Sequence, residues 1–213
     1  MAIAPTWFPA RPGTHPDDDT HARDVRLLVV PGLHGSGSDH WQTWLEHRLP
    51  GAVRIELGDW GHADLARWAG AIDDALRRHR AAGWVVAAHS FGCLALAHYA
   101  ARGGRGVQGA LMAAPANPDR FALDEAQLNR ALPFASTLVA SANDPWMSLA
   151  DARYFAGRWG SQFVDAGEAG HINPATGFGP WPQGQAWVEH HLQRVRQLRP
   201  RPERAPAPLR YAF

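Results

Sequence analysis

Short apolar runs alternate with helically spaced apolar residues from Val25 onward, and few folds satisfy that alternation. The runs are Val25 to Val30, Val53 to Leu57, Trp84 to Ala88, Val107 to Ala113 and Thr137 to Ser141, with Gln162 to Val164 shorter. Most lack the alternating polar residues of a strand with one wet face, so they predict parallel strands covered on both sides. Between the second and third runs, Leu65, Trp68, Ala69, Ile72 and Leu76 recur at helical spacing, with Arg67, Asp73, Asp74 and Arg77 on the other face. Further helices are expected after Ser90, ending at Gly103-Gly104, over Leu149 to Trp159, and over Gln183 to Leu198. The fold class is therefore α/β, a mostly parallel central sheet of about six strands flanked by helices.

Of the 213 residues 46% are apolar, enough for one domain with a sizeable core, expected over residues 24–198. The head, 1–23, and the Pro- and Arg-rich tail, 199–213, have little to bury and are expected to be flexible. Ala116 to Pro133 is the longest insertion between predicted strands and is expected to cover the mouth of a site at the sheet edge. The head lacks the apolar core of a signal peptide, and no run approaches the roughly 18 residues of a membrane span. With its single Cys93 the chain forms no internal disulfide, so a cytoplasmic location is expected. All 21 basic residues are Arg, which excludes lysine Schiff bases, Ser-Lys dyads and the P-loop lysine. A net charge of +1, with basic residues clustered only near the C-terminus, predicts neither nucleic acid nor membrane as a partner.

The third run continues into His89-Ser90-Phe91-Gly92-Cys93, and a helical pattern follows directly. A serine at a strand-to-helix turn, with small residues two before and two after, reads as a nucleophile elbow. Ala88 and Gly92 are those small residues, Ala88 standing where the usual pattern has Gly. The alternative is a helix-capping serine in an ordinary turn. The Phe91 N–H, at the helix start, is a candidate donor to an oxyanion. The loop Pro31-Gly32-Leu33-His34-Gly35-Ser36-Gly37 offers a second, with Leu33 the first choice and His34 the next. His89 and Cys93 read as structural.

A serine hydroxyl needs an imidazole to take its proton and a carboxylate to hold the imidazole's tautomer. Asp144 follows the fifth run, at the carboxyl edge of the sheet where sites of such folds gather. Asp165 is its rival, with Asp119 and Asp124 in the insertion. Of twelve histidines, His171 lies in a Gly-bounded loop between the last run and the last helix, and the order Ser90, Asp144, His171 is that of an α/β hydrolase. Trp41, Trp146 and Trp181, in nearby loops, are expected with His34 to wall a narrow apolar substrate pocket. There is no H-E-x-x-H and no cysteine pair, so neither a metal nor another cofactor is expected.

The Pro31-Gly32 loop with His40-Trp41, the Ala88 to Cys93 elbow, Ser141-Ala142-Asn143-Asp144-Pro145, and Gly170-His171-Ile172-Asn173 followed by Gly177-Phe178-Gly179-Pro180-Trp181-Pro182 together resemble the small YdeN-like serine hydrolases, the family that includes retinoblastoma-binding protein 9. The resemblance runs from about Val25 to Leu192. It implies an α/β-hydrolase fold with little or no lid, a triad at Ser90, Asp144 and His171, and carboxylesterase-like cleavage of small ester or related acyl substrates. The alternatives are a protein-binding module on a hydrolase scaffold and acyl transfer to an acceptor other than water. A protein partner is not indicated.

Overall fold

The computed structural model describes residue 21 and residues 23–199; the expectations for the head and tail lie largely outside them. Six strands form one parallel sheet: β1 (Val25–Val30), β2 (Val53–Arg54), β3 (Gly83–Ser90), β4 (Val107–Pro115), β5 (Ala135–Ala140) and β6 (Gln162–Asp165). Their order is β2-β1-β3-β4-β5-β6. The chain moves outward from β1 to β2 and then returns to build the other side from β3. The crevice at the carboxyl ends of β1 and β3 is thus the topological switch point, where open α/β sheets bind ligands.

The central strands are buried on both faces because successive side chains point to opposite sides. Leu28, Val30, Val86 and Ala88 face one apolar layer, with α2 (Leu65–Arg78), α3 (Phe91–Ala101) and α4 (Leu149–Trp159). Leu27, Val29, Val85 and Ala87 face the other, with α1 (Trp41–Arg48) and α5 (Pro182–Leu198). Helix α3 is buried on every side from Phe91 to Ala100, so the element that follows Ser90 is anchored in the core. Helix α2 is amphipathic as expected, buried along Leu65, Trp68, Ala69, Ala71, Ile72 and Ala75.

Two features depart from the sequence reading. The second strand was expected to run to Leu57 but ends its pairing at Arg54, with one further bond from Ile55 N–H to the Val29 carbonyl at 3.1 Å. Beyond it the chain turns to place the Trp60 carbonyl 2.9 Å from His34 N–H, trading strand pairing for support of the β1 loop. Helix α1 was not anticipated: it buries Trp41, Gln42 and Leu45, and its cap is His40 rather than the usual Ser, Thr, Asp or Asn. The insertion forms two 3-10 turns, Pro118–Phe121 and Glu125–Gln127. It supplies Phe121 to the wall of the site, while Leu128 and Trp159 join it to the core through a 2.9 Å bond from Trp159 Nε1 to the Leu128 carbonyl.

Candidate active site

Ser90 ends β3 with φ 53° and ψ −123°, outside the regions a non-glycine residue ordinarily occupies. Such conformations cost of order 1–3 kcal/mol and persist only where the surroundings enforce them. Its side chain makes no capping bond to α3, so the capping alternative is not what the structure contains. The turn is closed by contact: a Cβ on Gly92 would lie 2.4 Å from the Val30 carbonyl oxygen, and one on Gly32 would lie 2.8 Å from Ser90 Cβ. Ala88, by contrast, is accommodated fully buried within the strand.

His171 stands in the loop after β6, and its Nε2 lies 3.0 Å from Ser90 Oγ. On the other side Nδ1 donates to Asp144, 2.9 Å from Oδ1 and 3.0 Å from Oδ2. The Asp144 side chain is only 2% exposed and receives the Trp146 N–H at 2.9 Å, so its lone pairs are satisfied within the protein. The three residues form one continuous hydrogen-bonded chain. Asp165 accepts the Gly167 N–H and Asp124 caps the second 3-10 turn, so both carboxylates are committed to their own turns, while Asp119 sits exposed in the first turn with no bond to His171.

Two loops must be held together for that chain to form, and small polar residues do it. Asn143 Oδ1 accepts from Gly170 N–H at 2.6 Å and from Ser141 Oγ at 2.8 Å. Ser141 Oγ in turn accepts the Ala169 N–H at 2.9 Å. On the opposite side, Gln42 is fully buried and its Nε2 donates to the carbonyls of Ala87 at 2.8 Å and Val30 at 3.2 Å, while its Oε1 accepts from Ser36 at 2.5 Å. Gln42 therefore ties α1 and the β1 loop to the strand that carries Ser90.

The second-donor choice left open by the sequence is narrowed by bonding: His34 N–H is spent on the Trp60 carbonyl, and Leu33 N–H has no partner among the described residues. A cavity of about 340 Å³ opens over Ser90 and His171. Leu33, Phe121 and Trp146 are among its apolar walls, and His34, His40 and Asn173 among its polar ones. Of the predicted pocket residues, His34 and Trp146 line this cavity, but Trp41 and Trp181 do not. Trp41 is fully buried, donates from Nε1 to the Ile172 carbonyl at 3.0 Å, and packs edge-on against Trp181 with ring centres 5.1 Å apart. Loop position suggested a wall; burial makes the pair a support beneath the His171 loop.

His89, read from the sequence as structural, and His40, named there only with Trp41 in the family resemblance, form with His171 a cluster of three imidazoles. The rings of His40 and His89 meet edge-on with centres 4.8 Å apart, and those of His89 and His171 lie tilted with centres 4.9 Å apart. Burial, then the Arg54 guanidinium, then His171, hold His40 down to about 4. Burial, then its neighbours His40 and His171, push His89 well below the usual imidazole range. Two of the three rings are thus kept neutral beside the third. Burial also pushes the Cys93 thiol up, against its role as a second nucleophile. Among the described residues no cluster of His, Cys, Asp and Glu suits a metal ion, and no helix is long and apolar enough to cross a membrane.

A parallel six-stranded sheet wrapped by helices on both faces, with a strained serine at its switch point, defines an α/β hydrolase. The chain belongs to the serine hydrolase family, whose model matches residues 27–190. It is similar to a YdeN-like hydrolase from Pectobacterium atrosepticum, with 39% identity and a TM-score of 0.77 over 81% of this chain and 92% of that one. The ydeN product of B. subtilis shares 17% identity with a TM-score of 0.64, over 79% and 99% of the two chains. Thermogutta terrifontis esterase 2 shares the fold at 15% identity and a TM-score of 0.60, over 84% and 86%. No curated protein matches the sequence.

Proposed function

We propose that this serine hydrolase is a carboxylesterase-like enzyme in which Ser90 is the nucleophile, His171 the general base and acid, and Asp144 the residue that orients it. The observation that carries the reading is the unbroken chain from Ser90 Oγ through His171 to Asp144, starting at a backbone held out of its relaxed conformation. Asp144 keeps the proton on His171 Nδ1, which leaves Nε2 free to accept from the serine. As Ser90 Oγ attacks the acyl carbon its proton passes to Nε2, and the carbonyl oxygen takes up the negative charge. The N–H groups of Phe91 and Leu33 receive that charge, at the positive end of α3. Collapse returns the proton from Nε2 to the leaving alcohol, and water then releases the acid by the same steps in reverse order.

A cavity of about 340 Å³ with aromatic walls at Phe121 and Trp146 supports a small acyl substrate. Intact mass after treatment with a fluorophosphonate tests the reading without knowledge of the substrate. One adduct on wild type and none on Ser90→Ala is the expected result. A folded wild type that takes up no adduct overturns it, and favours a binding module on a hydrolase scaffold.

A further inference from the structure

His40 is 4% exposed, yet its two ring nitrogens have different fates. Nδ1 accepts the backbone N–H of Gln42 at 3.2 Å and caps α1. An imidazole that accepts on Nδ1 and is neutral carries its hydrogen on Nε2. That N–H has no hydrogen-bond partner among the described residues, and the ring lines the cavity that holds Ser90 and His171. This nitrogen is not sealed in the core, where only His191 Nδ1 lies fully buried without a partner among the described residues, so at the cavity wall the N–H is available to bond a substrate when the site is filled. The cap alone does not explain the residue, because Ser, Asp or Asn would accept the same N–H.

The topology gives the donor a direction. His34 and His40 come from the loop after β1, on one side of Ser90, whereas Phe121 and Trp146 come from the segments after β4 and β5, on the other. The imidazoles of His34 and His40 thus stand, beside Leu33, across Ser90 from the rings of Phe121 and Trp146. We propose that His40 is a specificity-determining residue, whose Nε2–H selects acyl substrates carrying a hydrogen-bond-accepting oxygen near the scissile carbonyl. This inference rests on the esterase reading above and names the substrate class for the same site. His40 cannot serve as a second base: Nδ1 is engaged and Nε2 holds a proton, so it donates and does not accept.

Matched esters that differ only in an ether oxygen test it. One pair is para-nitrophenyl methoxyacetate and butyrate, which places the oxygen in the acyl part. The other is methoxyethyl acetate and butyl acetate, which places it in the alcohol. The variants are chosen by atom position: in His40→Asn the side-chain oxygen can still cap α1 but no donor reaches the Nε2 position, whereas in His40→Gln an amide N–H₂ does reach it. The readout is the change between proteins in the oxygen-to-carbon ratio of kcat/KM, in which the intrinsic reactivity of the esters cancels. For at least one pair the ratio is expected to fall about tenfold in His40→Asn, the size of one lost hydrogen bond, and to recover in His40→Gln. An unchanged ratio in both pairs overturns the inference, as does an equal fall for oxygen and carbon esters in both variants, which assigns His40 to the cap alone. If wild type labels with the fluorophosphonate and shows neither effect, this inference fails and the hydrolase reading stands; an unlabelled wild type removes both.

Discussion

His89 Nε2 donates to the backbone carbonyl of His171 at 2.9 Å, so the residue beside Ser90 holds the peptide that carries the ring hydrogen-bonded to Ser90. The side chain cannot reach the serine proton itself; it acts as a positioning residue. His89→Leu removes the tether and is expected to lower kcat about 10- to 100-fold with little change in KM, since small displacements of a base are costly in rate. His89→Gln, whose amide N–H₂ occupies the position of Nε2, should restore most of it. Steady-state kinetics decide, and a loss confined to KM or unrelieved by Gln removes the positioning role.

The carboxylates separate in the same way. Asp144→Asn keeps the size of the side chain but can no longer fix the His171 tautomer, and a fall in kcat of about 10⁴-fold is expected. Asp165→Asn retains an oxygen for the Gly167 N–H and should change kcat less than about twofold. Turnover of an activated ester by the two variants measures the contrast. Comparable losses in both would return the acid assignment to the choice that the sequence alone left.

Acid should unfold the protein through histidines before its carboxylates titrate. In the unfolded chain an imidazole takes a proton near pH 6.5, but folded His40 is held to about 4 by burial and by Arg54 and His171. Between those values the unfolded state binds more protons, so stability falls as the pH falls from about 6.5 towards 4. For His40 alone the loss between pH 7 and 5 is roughly 2 kcal/mol. Buried His191, which is also held to about 4 and has an unpartnered Nδ1, adds in the same direction. Thermal unfolding followed by circular dichroism at pH 7 and pH 5 checks this, and an unchanged Tm contradicts it.

Cys93 gives a direct probe of core integrity. The thiol is fully buried on α3, donates to the Ala113 carbonyl, and has its ionisation raised by burial. Native protein is expected to resist iodoacetamide at pH 8, and denatured protein to take up one equivalent. Rapid native labelling that blocks turnover would put Cys93 within reach of the site.

What the sequence made legible was whatever depends on local pattern. Apolar runs and helical spacing predicted the sheet, and a serine between Ala88 and Gly92 predicted the turn. Asp144 was found by its place after the fifth run and His171 by its Gly-bounded loop and the chain order, and the structure brings both to Ser90. The misses have a different cause. Gln42 and Asn143 act through bonds, and His40 through its ring contact with His89, between segments far apart in the chain, and none carries a periodic signal. Trp41 and Trp181 misled for a related reason: both were read as loop residues at the site, whereas Trp41 opens α1 and both are buried where the 171–182 segment folds back over it.

A further long-range constraint, set by backbone atoms, lies at Gly92, and it yields a paired prediction. A methyl there would meet the carbonyl oxygens of Val30 at 2.4 Å and Pro31 at 2.6 Å, both backbone atoms that cannot swing aside. Gly92→Ala must therefore push α3 away from β1, and overpacking of this kind costs about 1–3 kcal/mol or more. Because Leu33 follows the Pro31-Gly32 peptide that would be displaced, the separation of the two proposed oxyanion donors, Leu33 and Phe91, should widen as well, and kcat should fall further than stability alone accounts for. Gly157, inside α4, is the control: nothing lies within 4 Å of the place its methyl would take, and Gly157→Ala should stabilise by roughly 0.5–1 kcal/mol through helix propensity. Urea unfolding and turnover of both variants give the answer. Equal stability for the two would mean that the approach of α3 to the β1 loop is looser than these contacts require.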